Sequence, residues 1–285
     1  MNHLVLSTLL GIVEGLTEFL PVSSTAHLRI TEALVGVDLG NGYWKMFTIV
    51  IQLGAILCLP LYFRRRIAEF WAGFVKAARG GAGWATHPLS QTAAAFVVTA
   101  IPSLLLIKVI GEHLENLVVM GWSLVIGGAV MWIVDALYAR HRLRTRTEDM
   151  ARMGLGQALW IGACQITSAV FPGVSRSMST IAAGQLAGMT RASALEFSFF
   201  LSMPTMVAAT GYDLVKTLWR AQSSPLGAVE MPANGWVLLA IGFVVSFVVA
   251  YGVVAWFMSW VRSRGFVPFA VYRLAVGAAV LAWIR

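Results

Sequence analysis

The sequence predicts an all-α integral membrane protein with six full transmembrane helices and two further helical segments that are broken near their middles. Of the 285 residues, 58% are hydrophobic and only 12% are charged, whereas soluble domains carry roughly 45–50% apolar and about 25% charged residues. Six apolar runs reach the length of about 20 residues that a helix needs to cross a bilayer. Lys and Arg residues cluster in the short segments between these runs.

The six runs differ from two other apolar regions in being uninterrupted. They cover residues 43–63, 91–110, 117–139, 192–213, 235–259 and 266–284. The regions 4–36 and 154–188 instead contain a proline followed by a cluster of hydroxyl residues. We expect each to form two half-helices that enter the membrane and turn back, since non-helical backbone at that depth requires cover from protein or a water-filled cavity.

The basic residues orient the predicted helices. On one side, the connecting segments 64–90 and 140–153 hold five Lys or Arg residues each, and the segment 260–265 holds two. The opposite connections, 111–116 and 214–234, hold only two. By the positive-inside rule, the basic segments are cytoplasmic and both termini lie outside. This topology accounts for the net charge of +8, so we expect no nucleic-acid partner.

The same topology divides one polytopic membrane domain, residues 1–285, into two halves of opposite orientation. The halves cover about 1–140 and 152–285, and the basic loop 140–153 joins them. An offset of 151 residues aligns three identical pairs, Gly11 on Gly162, Pro21 on Pro172 and Ser24 on Ser175. We therefore predict an inverted-topology repeat, whose shared site lies near the bilayer midplane where the broken helices meet.

The first broken segment carries two carboxylates at helical spacing. Its sequence is GIVEGLTEFLPVSSTAH over residues 11–27, and Glu14 and Glu18 project from one helix face about one turn apart. Carboxylates inside a membrane are costly and mark functional cavities. Two that lie this close share a proton or bind a divalent cation. The alternative is a structural pair held by a distant Arg or by hydroxyls.

Hydroxyl residues follow the carboxylates at the predicted break. Pro21 ends the first half-helix because it has no N–H to donate, and the second begins among Ser23, Ser24 and Thr25. Such residues are preferred N-caps, but a helix N-terminus also presents free N–H groups to an anion. Capping explains one hydroxyl, not three together with His27. We interpret a hydroxyl here as a nucleophile activated by a carboxylate or imidazole.

The second broken segment, FPGVSRSMST over residues 171–180, places an arginine among hydroxyls. Pro172 and Gly173 break the helix, and Arg176 follows. An arginine this deep needs an anion, and its planar fork fits a phosphate. An ion pair with Glu14 or Glu18 is the structural alternative. If the halves interlock, the acids, hydroxyl and imidazole of one meet the phosphate clamp of the other, which predicts a phosphoryl-transfer site inside the membrane.

Other polar residues in the apolar runs are interpreted as structural. Glu196 and Arg273 are predicted to form a buried ion pair within the second half, and Asp135 is placed near the membrane interface. Cys58 and Cys164 lie in apolar runs without a spacing motif, so we expect two free thiols and neither a disulfide nor a metal site.

These segments resemble a known family. GIVEGLTEFLPVSSTAH resembles the EGxTEFLPVSSTGH signature, and PGVSRSMST resembles the PGxSRSxxT signature, of bacterial undecaprenyl-diphosphate phosphatases of the bacitracin-resistance (BacA/UppP) type. IQLGAIL at 51–57, EFSFFLSMP at 196–204 and PFAVYR at 268–273 look like further blocks of that family. The resemblance covers nearly the whole chain. Ala26 replaces the usual glycine before the histidine, and no reacting group is missing.

The resemblance implies an enzyme that removes the terminal phosphate of undecaprenyl diphosphate, using Mg²⁺ or Ca²⁺, on the outer, periplasmic side of the bacterial inner membrane. It implies reuse of the lipid carrier in peptidoglycan synthesis and tolerance to bacitracin. The family's catalytic residues fall on Glu14, Glu18, Ser24, His27 and Arg176, with both glutamates as metal ligands. The residues expected to bind the diphosphate are Ser23, Thr25, Gln165, Gly173, Ser175, Arg176, Ser177 and Thr180.

Several alternatives stay open at this level. The nucleophile is Ser24, His27 or water, and the roles of Glu14 and Glu18 as base or metal ligand are not separated. A lipid transporter or flippase is the alternative function, because inverted repeats with broken helices are typical of transporters. The dense cluster of hydroxyls, acids and arginine favours the phosphatase, since transport does not require it. The partners are a polyprenyl lipid and membrane lipids, and a homodimer is one of the open oligomeric states.

Overall fold

The computed structural model shows a helical protein. It describes residues 2–37, 41–80, 83–106, 116–140, 145, 147–223 and 232–284. Within this part of the chain there are eleven α-helices and no strand: α1 His3–Thr17, α2 Ser24–Leu34, α3 Gly42–Tyr62, α4 Arg64–Arg79, α5 Pro88–Leu105, α6 Leu117–Ala139, α7 Leu155–Val170, α8 Arg176–Leu186, α9 Arg191–Ser223, α10 Gly235–Ser263 and α11 Val267–Trp283.

Five of these helices are long and apolar enough to cross a membrane. They are α3, α5, α6, α9 and α10. Large apolar side chains such as Ile126 and Ile133 on α6 are exposed, as expected where a helix faces lipid. The prediction of an all-α membrane protein is confirmed. The sixth predicted span corresponds to α11, which is apolar but has 17 residues, so the count of six stays a prediction.

Both predicted breaks are present, and they share one local geometry. The first lies between α1 and α2, and the second lies between α7 and α8. Each half-helix after a break has a serine N-cap, Ser23 with φ 76° and Ser175 with φ 72°, and these are the only non-glycine residues with positive φ in the described ranges. Their hydroxyls accept from the amides of Ala26 at 3.5 Å and Met178 at 3.4 Å. Each cap therefore satisfies one free N–H of its helix.

The N-caps correct the alignment of the two halves. Ser175 corresponds to Ser23 and not to Ser24, because the cap lies two residues after Pro21 in the first break and three residues after Pro172 in the second. The first helical residues that correspond are therefore Ser24 of α2 and Arg176 of α8. The predicted nucleophile and the predicted phosphate clamp occupy the same place in the two half-helices.

Each broken segment packs against a helix of the other half. In α1, a Cβ on Gly15 would lie 2.8 Å from the carbonyl oxygen of Ser246 in α10. In α7, a Cβ on Gly162 would lie 2.5 Å from the carbonyl oxygen of Ala95 in α5. Glycine thus allows backbone to contact backbone in both places. This exchange of partners fits an interlocked pair of halves, and the inverted repeat stays a prediction.

The basic segment 64–90 differs from a plain connection because most of it is helix α4. Phe70 is the one residue of α4 that is fully buried, while Arg64 and Arg65 are exposed. Three arginines of the predicted cytoplasmic loop 140–153 lie outside the described residues, and they are Arg142, Arg144 and Arg146. Both cysteines are free, as predicted.

The predicted ion pair between Glu196 and Arg273 is wrong. Glu196 accepts a hydrogen bond from Arg66 of α4 at 3.0 Å. Arg273 instead donates to backbone carbonyls that the two breaks leave free. Asp135 is buried and bonded to Arg191 at 2.7 Å, and its position near the membrane interface stays a prediction. The partner of a buried charged residue depends on which helices are neighbours, and sequence periodicity carries no information on this.

Candidate active site

The two breaks meet in space. Nη2 of Arg176, the first residue of α8, donates to Oε1 of Glu18 at 3.1 Å. The hydroxyl of Ser177 donates to the carbonyl oxygen of Leu20 at 2.9 Å. These contacts join residues of the first break to the N-terminal turn of the half-helix after the second. The structure therefore brings together the acids of one segment and the arginine of the other.

Glu18 connects the hydroxyl to the arginine. The Ser24 hydroxyl donates a hydrogen bond to Oε2 of Glu18, while Oε1 accepts from Arg176. The Glu18 side chain is 4% exposed and that of Arg176 is 12% exposed, so the cluster is largely shielded from solvent. A carboxylate that receives the proton of a hydroxyl has the geometry of a general base. Arg176 orients this carboxylate from the opposite side.

Arg176 has unused hydrogen-bonding capacity. Its Nη1 is buried and has no hydrogen-bond partner among the described residues. A buried donor without a partner costs free energy unless a ligand satisfies it. Arg176 is the first residue of α8, whose N-terminal N–H groups lack helical partners. Both features fit a phosphate group at the end of α8.

Glu14 lies one turn before Glu18 and is fully buried. Neither of its carboxylate oxygens has a hydrogen-bond partner in the described part of the chain. No group of three His, Cys, Asp or Glu residues in that part is arranged to hold a metal ion. The two glutamates alone fit the kind of Mg²⁺ site in which one or two carboxylates are completed by substrate phosphate and water.

His27 is held by two partners on opposite sides. Its Nδ1 is 2.7 Å from the carbonyl oxygen of Ser23, and its Nε2 is 2.8 Å from the hydroxyl of Tyr272. The Tyr272 ring stacks on the imidazole with centroids 5.5 Å apart. Since a carbonyl only accepts, Nδ1 carries a proton. No hydrogen bond among the described residues joins His27 to Ser24 or Glu18.

Tyr272 is absent from the residues predicted from sequence. It lies in the PFAVYR block that carried part of the resemblance. Membership of that block is the sequence feature that could have identified Tyr272 as a candidate. Its contact with His27 could not be predicted, because nothing in the sequence places α11 beside α2. The contact with His27 joins residues 245 positions apart.

Several predicted diphosphate-binding residues have structural partners. Ser175 caps α8, and its hydroxyl is 3.1 Å from that of Ser177. Thr180 is buried, and its hydroxyl is 2.6 Å from the hydroxyl of Ser198 in α9. Ser23 caps α2. These hydroxyls hold the half-helices in place and thereby support the cluster of Ser24, Glu18 and Arg176.

Two other predicted residues, Gln165 and Thr25, are described without a complete set of partners. Gln165 of α7 donates to Thr205 at 3.2 Å, but its Oε1 is buried and has no hydrogen-bond partner among the described residues. Thr25 follows Ser24 and is partly exposed. Gly173 has φ 97°, and a Cβ there would lie 2.7 Å from the carbonyl oxygen of Met120. Only glycine fits both restrictions at this position.

Comparison with known proteins gives one family. The family described as "Bacitracin resistance protein BacA" matches residues 7–279. An undecaprenyl-diphosphatase of Koribacter versatilis is 66% identical over 285 residues, covering 99% of both chains. Undecaprenyl-diphosphatases of Caldanaerobacter subterraneus and Novosphingobium aromaticivorans are 38% and 39% identical, covering 99% and 100% of this chain and 96% and 99% of their own.

Proposed function

The chain belongs to the BacA family of bacitracin resistance proteins, and on this premise we propose that it dephosphorylates undecaprenyl diphosphate where its two breaks meet. The observation that carries the site is Glu18, which accepts from Ser24 on one oxygen and from Arg176 on the other. The products are undecaprenyl phosphate and inorganic phosphate. The lipid product is the carrier reused in peptidoglycan synthesis, and its recycling opposes bacitracin.

The reaction uses a hydroxyl, a base and a cation that are already in contact. Ser24 Oγ attacks the terminal phosphorus, and its proton passes to Oε2 of Glu18 along the existing hydrogen bond. The bond from phosphorus to the bridging oxygen breaks, and undecaprenyl phosphate leaves. Water then hydrolyses the phosphoserine and restores Ser24. Arg176 stabilises the charge on the phosphate oxygens, which dominates catalysis of phosphoryl transfer.

The hydrogen bonds of the two glutamates separate their proposed roles. Glu18 accepts the hydrogen bond of the Ser24 hydroxyl and is the base, while Glu14 has two oxygens without a partner among the described residues and is the better metal ligand. A divalent cation bound there would neutralise charge on the phosphate. Chelation should then remove activity, and Mg²⁺ or Ca²⁺ should restore it. Full activity after exhaustive chelation would contradict this part of the proposal.

The membrane placement is also part of the proposal. The site opens to the outer face of the bacterial inner membrane, and both termini lie outside. The exposed arginines at the start of α4 support a cytoplasmic position for that helix. Labelling of single cysteines in intact cells tests this: a cysteine at Arg65 should react only after permeabilisation, and one at Asn2 should react before it.

The experiment that tests the function is phosphate release from a short isoprenyl diphosphate by purified protein in nanodiscs, with no ion gradient. Wild-type protein should turn over, and Glu18→Gln should lose most of the rate. Glu196→Gln is the matched control, since that glutamate contacts Arg66 and not the cluster. Wild-type protein that releases no phosphate would favour a transporter instead.

A further inference from the structure

A single guanidinium, that of Arg273 on α11, contacts both breaks of the chain. The side chain is fully buried. Its Nη1 donates to the carbonyl oxygen of Pro21 at 3.2 Å, and its Nη2 donates to that of Gly173 at 2.9 Å. A third hydrogen bond, from Nη2 to the carbonyl oxygen of Ser123 at 3.0 Å, joins the group to α6. Arg273 therefore connects the first break, the second break and a spanning helix.

The two carbonyls are available because the breaks interrupt the helical hydrogen bonds. Ser23 follows Pro21 with φ 76°, and Gly173 itself has φ 97°. Neither the Pro21 nor the Gly173 carbonyl accepts a backbone hydrogen bond in the described ranges. Buried carbonyl oxygens without partners are costly, and Arg273 satisfies both with one side chain. The breaks and Arg273 therefore stabilise one another.

Two glycines of α6 leave room for this side chain. A Cβ on Gly127 would overlap Nη2 of Arg273, and a Cβ on Gly128 would lie 3.2 Å from the Cβ of Arg273. Any other residue at position 127 would have to displace the guanidinium. The position of Arg273 is thus set from two sides, by the carbonyls it binds and by the backbone of α6.

The charge of Arg273 has no carboxylate beside it. None of the ion pairs in the described part of the chain includes Arg273, and its Nε has no hydrogen-bond partner there. A buried charge without a counter-charge is expensive. An anion bound at the two breaks would supply one, and the diphosphate of the proposed substrate is such an anion.

We propose that Arg273 is a positioning residue for phosphoryl transfer. By holding Pro21 and Gly173 it fixes the distance between Ser24 and Arg176, which begin the half-helices just after the two breaks. Its charge also favours the diphosphate without contacting the reacting atoms. This inference rests on the proposed function, because it assigns Arg273 a role in that same reaction.

The test compares Arg273→Lys and Arg273→Met in nanodiscs, with kcat and KM measured separately for a short isoprenyl diphosphate. Lysine keeps the charge but lacks the fork that reaches three carbonyls. Its kcat should fall about tenfold or more because small displacements of reacting groups are costly, with KM little changed. Methionine loses the charge as well, so KM should also rise. Arg191→Met is the control, because Arg191 binds Asp135 and not the breaks.

A glycine variant tests the same role without altering any charge. Gly127→Ala should displace the guanidinium and reproduce the loss of kcat seen in Arg273→Lys. Gly252→Ala is its matched control, since a Cβ there has no neighbour within 4 Å. Melting temperatures of all variants distinguish a destabilised protein from a folded one in which the Arg273 guanidinium is displaced. Arg191→Met should lower the melting temperature and leave kcat almost unchanged.

Two results would overturn the inference. One is a kcat within about twofold of wild type in both Arg273→Lys and Gly127→Ala. The other is a loss of kcat that follows melting temperature equally in these variants and in Arg191→Met. Wild-type protein without phosphatase activity would refute the proposed function itself, whereas active wild type with unaffected variants would refute only the role of Arg273.

Discussion

Ser24 and Arg176 occupy equivalent positions in α2 and α8, each directly after a serine N-cap with positive φ, and both donate hydrogen bonds to Glu18. The same local geometry is thus used twice with different side chains. One copy presents a hydroxyl and the other a guanidinium. Because both begin a half-helix, free N–H groups lie beside each of them. A phosphate between the two helix ends would meet a nucleophile on one side and a cation on the other.

Replacing the nucleophile should remove the covalent intermediate. Ser24→Ala should lower kcat by at least about a thousandfold, because no other hydroxyl of the described residues is bonded to the base. Rapid quenching of wild-type enzyme with labelled substrate should trap an acid-stable phosphoserine. Ser103→Ala, which removes a hydroxyl bonded only within α5, should keep the wild-type rate. An acid-labile phosphohistidine, or no phosphoenzyme together with an active Ser24→Ala, would contradict this role.

The positive φ of Ser23 predicts an unusual order of stabilities. Ser23→Gly loses the cap hydroxyl but suits φ 76°, so it should cost only a few tenths of a kcal/mol. Ser23→Ala loses the same hydroxyl and keeps the Cβ that strains the backbone at this φ, so it should cost about 1 kcal/mol. Denaturant unfolding in mixed micelles measures the difference. Equal stability of the two variants would contradict backbone strain at Ser23, because both variants lose the cap hydroxyl.

The sequence predicted the local features of this site better than it predicted which helices are in contact. Pro21 and Pro172 located both breaks because each is followed by a cluster of hydroxyl residues, whereas Pro60, Pro102 and Pro204 lie inside helices. Spacing placed Glu14 and Glu18 on one helix face. Tyr272 was missed because its role depends on which helices touch, and sequence pattern carries no such information. The one-residue shift between Ser23 and Ser175 was missed because only backbone conformation distinguishes the cap from the residue after it.

Removing the hydroxyl of Tyr272 should have a measurable but limited effect. Tyr272→Phe keeps the ring that stacks on His27 and loses the hydrogen bond to Nε2. A hydrogen bond contributes about 1 kcal/mol, so kcat should fall about fivefold. Tyr251→Phe on α10 is the control. A loss as large as that of Ser24→Ala would mean that His27 takes part in the chemistry directly.

The ion pair between Arg66 and Glu196 should stabilise the fold without affecting the reaction. Glu196 is 16% exposed, so Arg66→Gln leaves a largely buried carboxylate without this partner. Arg66→Gln should destabilise more than Glu196→Gln, and the double variant should regain part of the loss, with a coupling of about 1 kcal/mol. Unfolding of the four proteins measures this cycle. Additive effects would show that the pair contributes nothing.

The most direct test of a site shared between the two breaks is the rate of phosphate release by Arg176→Ala. Arg176 belongs to α8, while Ser24 and Glu18 belong to the first broken segment. Loss of one donor that stabilises charge in the transition state costs about 3–4 kcal/mol, so kcat should fall several-hundredfold while the protein stays folded. A folded Arg176→Ala protein with a near-normal rate would contradict the central claim.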